Sequence, residues 1–346
     1  MKKIFIGIDF SKEKFDATVI KAEGVEERAE RKHNVFDNKV SGYRHLIKWV
    51  HDASEEQDLS LWLFCGENTG GYSKGLCNYL YAHGYDIWLE NALCLKRSSG
   101  IQRTKSDRAD SGIIAEYAMR NYDQMRLYRP LGKNMERLRE VFLYRHNLVK
   151  VKASMTVRRD EKKLSQAKSD ISRFISMSSK HIITELNKKI LECDRRIKEI
   201  ISEDDDLLRN FEIITSIPGV GTQNAACLMV YTDNFSRFDY NSRKIACYYG
   251  VAPFGRQSGT SVNTPPHVSP FANRLIKALL SQAALASIQF CPQMATYYHR
   301  LVEAGKKKPV AVNNVKNKLL HVITAMVRKG EKYNPDYDYY AALKIA

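Results

Sequence analysis

The sequence predicts an α/β domain, then a long helical arm, then a mainly α-helical C-terminal region. Up to Pro130, short β-rich apolar runs alternate with amphipathic segments, which is typical of a central sheet covered by helices. No glycine or proline occurs between positions 133 and 217, and that absence favours long helices. We therefore predict three domains, at residues 1–130, 131–208 and 209–346.

Apolar spacing predicts the elements of the first domain in order. Residues 4–9 and 15–20 are β-rich runs separated by a tight turn, which indicates a β-hairpin. Later β-rich runs and helical spacings predict strands at 59–65 and 85–89 and helices at 42–51, 72–83 and 107–121.

The arm at 131–208 carries one apolar stripe. Its members recur at three-, four- and seven-residue steps: Ile171, Ile175, Ser178, Ile182, Leu186, Cys193, Ile197 and Ile201. This spacing is typical of a helical hairpin or coiled coil, although helices packed into an ordinary globular bundle share it. Beyond the arm, we predict helices at 223–231 and 271–288, a helix ending near Val327, and a proline-rich loop at 256–270.

Composition narrows the classes of function. The 346 residues include 55 Lys and Arg against 39 Asp and Glu, a net charge of +16, so nucleic acid is the expected partner; a basic metabolic enzyme is the alternative. A hydrophobic fraction of 44% excludes a disordered or collagen-like chain. No apolar run approaches the roughly 20 residues of a membrane span, so we expect no membrane association.

Cysteine usage and the first residues predict a cytoplasmic protein. The seven cysteines form no CxxC pair, which argues against a zinc site or a disulfide framework. Charged residues at positions 12–14 stand where a signal peptide needs an apolar core.

Four acidic residues have the positions expected of metal ligands. Asp9 and Glu67 end predicted strands, whereas Asp107 and Asp110 share one face at a helix start. Convergent carboxylates suit hard divalent cations such as Mg²⁺, and two such ions stabilise the attacking and leaving oxygens of phosphoryl transfer. Each acid alone also fits a structural role: Asp9 as a turn cap, Glu67 as a surface acid, Asp107 as a helix cap and Asp110 as a charge favoured by the helix dipole.

Residues 256–261, which read RQSGTS, form a second candidate for chemistry. A serine in this polar segment can attack a phosphodiester if a base accepts its proton and cations hold the phosphate. A Ser-Gly pair between helices is more often a turn, so the residues alone leave the role open.

Three features fit nucleic-acid binding, each with a structural alternative. The turn PGVG at 218–221 resembles a helix-hairpin-helix turn, whose N–H groups can cradle phosphate, but it also suits a plain helix start. Basic residues precede the predicted acidic helix, where a solvated surface is the alternative: Lys96, Arg97, Arg103, Lys105 and Arg108. Tyrosines near the C-terminus could stack on bases or pack in the core: Tyr297, Tyr298, Tyr333, Tyr337, Tyr339 and Tyr340.

Several motifs together resemble one family. They are GIDFSKEKFDATVI at 7–20, the segment at 65–91, RTKSDRADSGIIAEYA at 103–118, and the segments at 216–231, 237–262 and 272–287. The chain is similar over nearly its whole length to DEDD transposases of the one-ten insertion-sequence family, relatives of the Piv-type DNA invertases. RTKSDRAD and RQSGTSV are the most specific of these motifs.

The resemblance implies a RuvC-like (RNase H-like) first domain and assigns site residues. The four acids of the family fall on Asp9, Glu67, Asp107 and Asp110, the residues already selected by position. The serine that links the protein covalently to DNA falls on Ser258, with Ser261 as the alternative in the same segment.

The implied activity is Mg²⁺-dependent cleavage and rejoining of DNA through a serine, with Mn²⁺ as a substitute ion. The implied partners are double-stranded donor and target DNA, a structured guide RNA (the bridge RNA of the element), and further copies of the chain in dimers that pair as tetramers. Such a protein acts on the bacterial nucleoid in the cytoplasm. Two alternatives stay open: a RuvC-like junction nuclease that uses activated water, and a nucleic-acid-binding protein without catalysis.

The chain departs from the family just after the serine segment. Family members commonly carry Ser-Lys-x-Gly-Asn there, whereas residues 269–273 read SPFAN. Asn273 and Arg274 retain the end of the pattern, but the lysine and the glycine are missing. The departure affects the phosphate contacts of this segment more than the serine.

Overall fold

The computed structural model describes residues 4–22, 31–68, 70–98, 100, 106–164, 169–258 and 262–336. Contacts between residues divide the chain into two units, unit 1 at residues 1–130 and unit 2 at residues 131–346. The predicted arm at 131–208 and the predicted domain at 209–346 both lie in unit 2.

Unit 1 is built on a mixed sheet in the order β3-β2-β1-β4-β5. The strands are β1 (Ile4–Phe10), β2 (Lys14–Lys21), β3 (Arg31–Asp37), β4 (Trp62–Glu67) and β5 (Ile87–Glu90). β1, β2 and β3 pair antiparallel in succession, whereas β4 and β5 run parallel to β1. The carboxyl ends of β1, β4 and β5 therefore lie at one edge of the sheet.

Helices cover both faces of this sheet. They are α1 (Val40–Ser54), α2 (Gly71–Ala82), α3 (Ala92–Ser98) and α4 (Asp107–Asn121). On one face, Ile6 and Ile8 pack with residues of α1 and α2 such as Leu46 and Leu76. On the other face, Phe5 packs with residues of α3 and α4. The mixed α/β architecture predicted for this part of the chain is confirmed.

Unit 2 is mostly helical. Its helices are α5 (Lys133–Leu164), α6 (Asp170–Ser202), α7 (Asp205–Thr215), α8 (Thr222–Thr232), α9 (Ser242–Tyr248), α10 (Arg274–Phe290), α11 (Pro292–Glu303) and α12 (Lys308–Lys329). One core gathers apolar side chains from the helices of this unit. Within the described residues no single helix is long and apolar enough to cross a membrane; α10 and α11 reach that length only together, and they are bent by 98°.

The long helices α5 and α6 pack antiparallel. Arg145 of α5 and Asp194 of α6 form an ion pair, with Nε and Oδ1 2.5 Å apart, and Gln223 donates to the same Oδ1 from 2.6 Å. Close to the core both helices are buried, as at Leu138 and Ile197. Farther along, five apolar side chains are between 50% and 71% exposed: Val151, Val157, Ile171, Phe174 and Met177.

The prediction of a loop over 256–270 is wrong for most of that segment. A two-stranded hairpin occupies it, with β6 (Pro253–Ser258) paired antiparallel to β7 (Val262–Val268). Prolines at 265 and 266 argue against a central strand, but a two-stranded sheet has only edge strands, which tolerate proline. α10 correspondingly begins at Arg274 rather than at 271, because the Asn273 Oδ1 caps it by accepting the Leu275 N–H at 2.9 Å.

Candidate active site

Three acidic side chains converge at one edge of the unit 1 sheet. Oxygen atoms of Asp9, Asp107 and Asp110 all lie within 4.8 Å of one another. Asp9 is near the end of β1, while the other two are in the first turn of α4. Asp9 and Asp110 are half-buried and Asp107 is exposed, so the cluster opens to solvent on one side.

Gly7 brings α4 onto β1 at this point. A Cβ atom added at Gly7 would lie 2.1 Å from the Ser111 carbonyl oxygen and 2.3 Å from the Ala115 nitrogen, so only glycine permits the approach. Gly7 shares a face of β1 with Asp9, because alternate residues of a strand point the same way. The start of α4 is thereby held beside Asp9.

A buried hydroxyl pair also ties α4 to the sheet. Ser111 Oγ lies 2.8 Å from the Oγ1 of Thr18, and Thr18 is the β2 residue paired with Gly7. This hydrogen bond therefore joins α4 to β2 beside the point where Gly7 allows α4 to approach β1.

Ser106, not Asp107, caps α4. Its Oγ accepts the Ala109 N–H at 3.2 Å, and its carbonyl oxygen accepts the Asp110 N–H at 2.9 Å. The alternative interpretation of Asp107 as the helix cap is therefore wrong, and its carboxylate is not used for capping. The carboxylates of Asp107 and Asp110 lie at the positive end of the α4 dipole, which favours negative charge.

Like charges and burial raise the pKa of Asp9 from 3.8 to about 6. Burial is the largest cause, followed by repulsion from Asp110, Asp107, Glu67 and Asp16 in that order. The cluster is therefore electrostatically unfavourable when fully ionised, and a divalent cation would relieve the repulsion.

Glu67 borders the cluster. It ends β4, one position beyond the paired residues Ile8 and Gly66 of the parallel β1–β4 ladder. Its carboxylate is outside the group of three whose oxygens lie within 4.8 Å, yet its charge raises the pKa of Asp9. The half-buried Glu67 thus faces the same edge from the next strand.

Two further acids near the cluster are bound to other residues. Asp16 is paired with Asp9 across β1 and β2, but its Oδ1 lies 2.7 Å from the Nε2 of His33. Glu116 of α4 forms ion pairs with Arg31 and Arg120. Each of these two acids therefore has a structural role.

Glu90 is an acid of this edge that sequence reasoning missed. It ends β5 and is paired in register with Glu67. The Tyr117 hydroxyl of α4 donates to its Oε2 at 3.1 Å, and the Asn91 N–H donates to its Oε1 at 2.6 Å. The signal was available, because Glu90 ends a strand as Glu67 does.

Ser258 is the last residue of β6, paired with Val262 at the end of the hairpin. The structure therefore places its backbone at the hairpin tip in unit 2. Ser261 lies outside the described residues. His267 of the same hairpin pairs with Phe254, near the other end.

The structure describes some, but not all, of the other residues that the sequence suggested for nucleic-acid binding. Lys96 and Arg97 end α3, and Arg108 is exposed on α4; Arg103 and Lys105 lie outside the described residues. Gly219 packs against α10, because an added Cβ would be 2.4 Å from the Ser287 nitrogen. Three tyrosines pack against the unit 2 core: Tyr297, Tyr298 and Tyr333. The other three lie outside the described residues: Tyr337, Tyr339 and Tyr340.

Comparison with known proteins identifies the family. A model of DEDD transposases of the IS110 type matches residues 6–168, and a model of the transposase IS116/IS110/IS902 family matches residues 211–299. The pilin gene-inverting protein of Moraxella bovis is 24% identical over 343 residues, covering 96% of this chain and 98% of that protein, and the protein of the same name from Moraxella lacunata is equally similar.

A shorter match has higher identity. An uncharacterized 43.6 kDa protein of the insertion element IS110 from Streptomyces coelicolor is 33% identical over 121 residues, which cover 35% of this chain and 29% of that protein. Two separate regions of the chain match models of the same transposase family. The acidic cluster lies within the first of these regions. The chain belongs to the IS110 family of DEDD insertion-sequence transposases and DNA invertases.

Proposed function

We propose that this chain is a DNA recombinase that cuts and rejoins strands at a divalent metal site, with Ser258 as the nucleophile. The metal ligands are Asp9, Glu67, Asp107 and Asp110. The convergence of three of these carboxylates within 4.8 Å is the observation that carries the proposal. Family membership supports DNA as the substrate, since transposases and invertases act on DNA.

The donor set fits Mg²⁺. It consists of carboxylate oxygens, which are the ligands that hard cations prefer. The raised pKa of Asp9 fits as well, because metal binding would stabilise its ionised form. When bound, two such ions supply stabilisation of the attacking and leaving oxygens of a phosphoryl displacement. Mn²⁺ has the same preference for oxygen ligands and is the expected substitute.

The side chains of unit 1 hold this donor set in place. Asp9 is fixed by the sheet, and Asp107 and Asp110 are fixed by the contact of α4 with Gly7 and by the Ser111–Thr18 hydroxyl pair. Because these ligands are already held in position, they need little reorganisation when charge develops on the substrate.

Ser258 supplies the covalent step in this proposal. Its hydroxyl oxygen attacks a backbone phosphorus as its proton passes to a base or to water. The bond from phosphorus to the leaving sugar oxygen breaks, and that oxygen takes up a proton. Attack on the serine ester by a hydroxyl of another strand reverses these steps and rejoins DNA without an external energy source.

We further propose a structured guide RNA and assembly of the chain into dimers that pair as tetramers. The net charge of +16 supports binding of more than one polyanion. The exposed apolar side chains on the outer part of α5 and α6 support a helical partner, since such a stripe is stabilised by burial. In this proposal α5 and α6 form the coiled-coil contact between two copies, and the protein acts on the nucleoid in the cytoplasm.

The decisive experiment compares serine variants for strand exchange and for covalent protein–DNA adducts in Mg²⁺. Ser258→Ala should abolish both, while Ser281→Ala, a helical serine outside the hairpin, should leave both unchanged. If Ser261→Ala alone abolishes both, the nucleophile is the neighbouring serine. Normal recombination by the Ser258 and Ser261 variants would overturn the serine mechanism.

The metal assignment and the junction-nuclease alternative are tested in parallel. Asp9→Asn and Asp107→Asn should each abolish Mg²⁺-dependent activity, whereas Asp52→Asn on α1 should not. Cleavage by wild-type protein that forms no adduct would identify a nuclease using activated water. Sequencing the RNA that co-purifies with the protein tests the guide, because a defined element-encoded RNA is expected rather than random cellular RNA.

A further inference from the structure

Two lysines on neighbouring helices lie near the base of the β6–β7 hairpin. Lys277 is in the first turn of α10, and its Nζ donates to the Ser269 carbonyl oxygen at 3.5 Å. Lys316 is on α12, which packs against α10 in the unit 2 core. Both lysines are half-buried.

Contacts at the hairpin base connect it to the helices that carry these lysines. An added Cβ at Gly250 would lie 2.4 Å from the Cβ of Ala272 and 3.6 Å from the Ser269 carbonyl oxygen. The chain entering β6 therefore contacts the chain leaving β7. Asn313 of α12 donates to the Val251 carbonyl oxygen at 2.9 Å, and Lys316 follows Asn313 by three residues, on the same face of the helix.

The pair concentrates positive charge without a carboxylate to balance it. Among the residues that the structure describes, neither lysine forms an ion pair. Burial lowers the pKa of Lys316, and the charge of Lys277 lowers it further. Lys277 is also at the positive end of the α10 dipole, where a cation is disfavoured. A bound anion would relieve all three unfavourable contributions.

We propose that Lys277 and Lys316 bind a backbone phosphate of the DNA strand on which Ser258 acts. This inference rests on the proposed function. β6 separates the lysine pair from Ser258 by five residues, or about 17 Å at ~3.4 Å per residue. A duplex lying along the hairpin rises ~3.4 Å per base pair, so the bound phosphate is about five base pairs from the reacting one.

One observation favours nucleic acid over a free anion. Phe254 and Phe271, at the same base, are 51% and 58% exposed, and exposed rings beside cations are typical of surfaces that bind nucleic acid.

The test measures DNA affinity as a function of salt concentration, using a short mixed-sequence duplex and fluorescence anisotropy. The Lys277→Gln/Lys316→Gln double variant should bind roughly tenfold more weakly at low salt, and the slope of log affinity against log salt should fall by about 0.9, because the contact with one phosphate is lost. Lys332→Gln is the matched control, because Lys332 is exposed and paired with Glu212 at 2.9 Å. It should change the slope little.

Stability separates binding from a structural role. The double variant without DNA should unfold at the same temperature as wild type or higher, since a repulsive pair is removed. A lower unfolding temperature together with an unchanged salt slope would make these lysines structural and overturn the site.

The other outcomes are equally decisive. A slope change with a short RNA hairpin but not with the duplex overturns the assignment to DNA. Wild-type binding that neither lysine substitution alters overturns the phosphate site and leaves the proposed function intact. A wild-type protein that binds no DNA, and whose Asp9→Asn variant behaves as wild type in every activity assay, overturns both.

Discussion

Replacing Asp9 by asparagine should stabilise the protein when no divalent metal is present. The Asp9 carboxylate is half-buried and faces four other acids, so its ionised form is disfavoured in the folded state. Asparagine has nearly the same shape and no charge, and it removes both the desolvation penalty and the repulsion. A residue that the proposed function requires is thus expected to reduce stability.

The magnitude and its pH dependence follow from the pKa of Asp9, which rises from 3.8 to about 6 on folding. Each pKa unit corresponds to ~1.4 kcal/mol, but solvent screening at a half-buried group reduces the total to about 1–2 kcal/mol. Below pH 3.8 the carboxyl is protonated in both states, and the penalty is absent. It grows as pH rises and is complete above pH 6.

Tryptophan fluorescence reports this change selectively. All three tryptophans, Trp49, Trp62 and Trp88, lie in unit 1, so urea unfolding followed by their emission measures the unit that holds Asp9. In EDTA, the Asp9→Asn variant should exceed wild type in stability by about 1–2 kcal/mol at pH 8 and by less than about 0.5 kcal/mol near pH 4. Asp52→Asn should stay within about 0.5 kcal/mol of wild type at both pH values.

Adding Mg²⁺ should make the wild-type protein more stable than the Asp9→Asn variant. A ligand that binds only the folded state stabilises it by an amount that grows with concentration, and the variant has lost one ligand. A variant less stable than wild type in EDTA at pH 8 would refute the electrostatic reasoning. So would an advantage that does not diminish toward pH 4.

Three other substitutions test the packing that supports the site and the arm. Gly7→Ala should cost at least about 2 kcal/mol in the same fluorescence assay, since α4 must move. Gly112→Ala in that helix meets nothing within 4 Å and should be neutral or stabilising by up to ~1 kcal/mol. In unit 2, Arg145→Met leaves the half-buried Asp194 without its cation and should cost about 1–3 kcal/mol, measured by far-UV circular dichroism. Equal effects of the two glycine substitutions, or no effect at Arg145, would contradict these contacts.

Elements that are marked by local sequence features, such as a helix cap or an acidic first turn, were predictable from the sequence. The helix expected at 107–121 has those bounds in the structure, because Ser106 caps it and its first turn is acidic. β3 was not predicted, because an edge strand is half solvated and RKHNVFD lacks the apolar alternation of the other strands. The β6–β7 hairpin was missed because its prolines and glycines resemble those of a loop.

Residues of the candidate site were predictable where a strand end or the spacing along one helix determines their position. Strand ends mark Asp9 and Glu67, and helical spacing joins Asp107 to Asp110. Partners distant in sequence were not predictable: His33 binds Asp16, and Tyr117 binds Glu90. The two lysines of unit 2 are a similar case, since Lys277 and Lys316 are 39 positions apart and are neighbours only through the packing of α10 against α12.

The proximity of the acids depends on a residue without chemistry of its own. Helical spacing places Asp107 and Asp110 on one face, but α4 could cross the sheet at many points. At Gly7 the helix backbone comes so close to β1 that a Cβ atom would not fit, and Thr18 binds Ser111 at the same register. One turn separates Ser111 from Asp107, and Asp9 is two positions after Gly7 on the same face of β1. The crossing point therefore determines which strand residue meets the acidic turn, and the clustering of the three acids is a consequence of where a glycine allows the helix to pack.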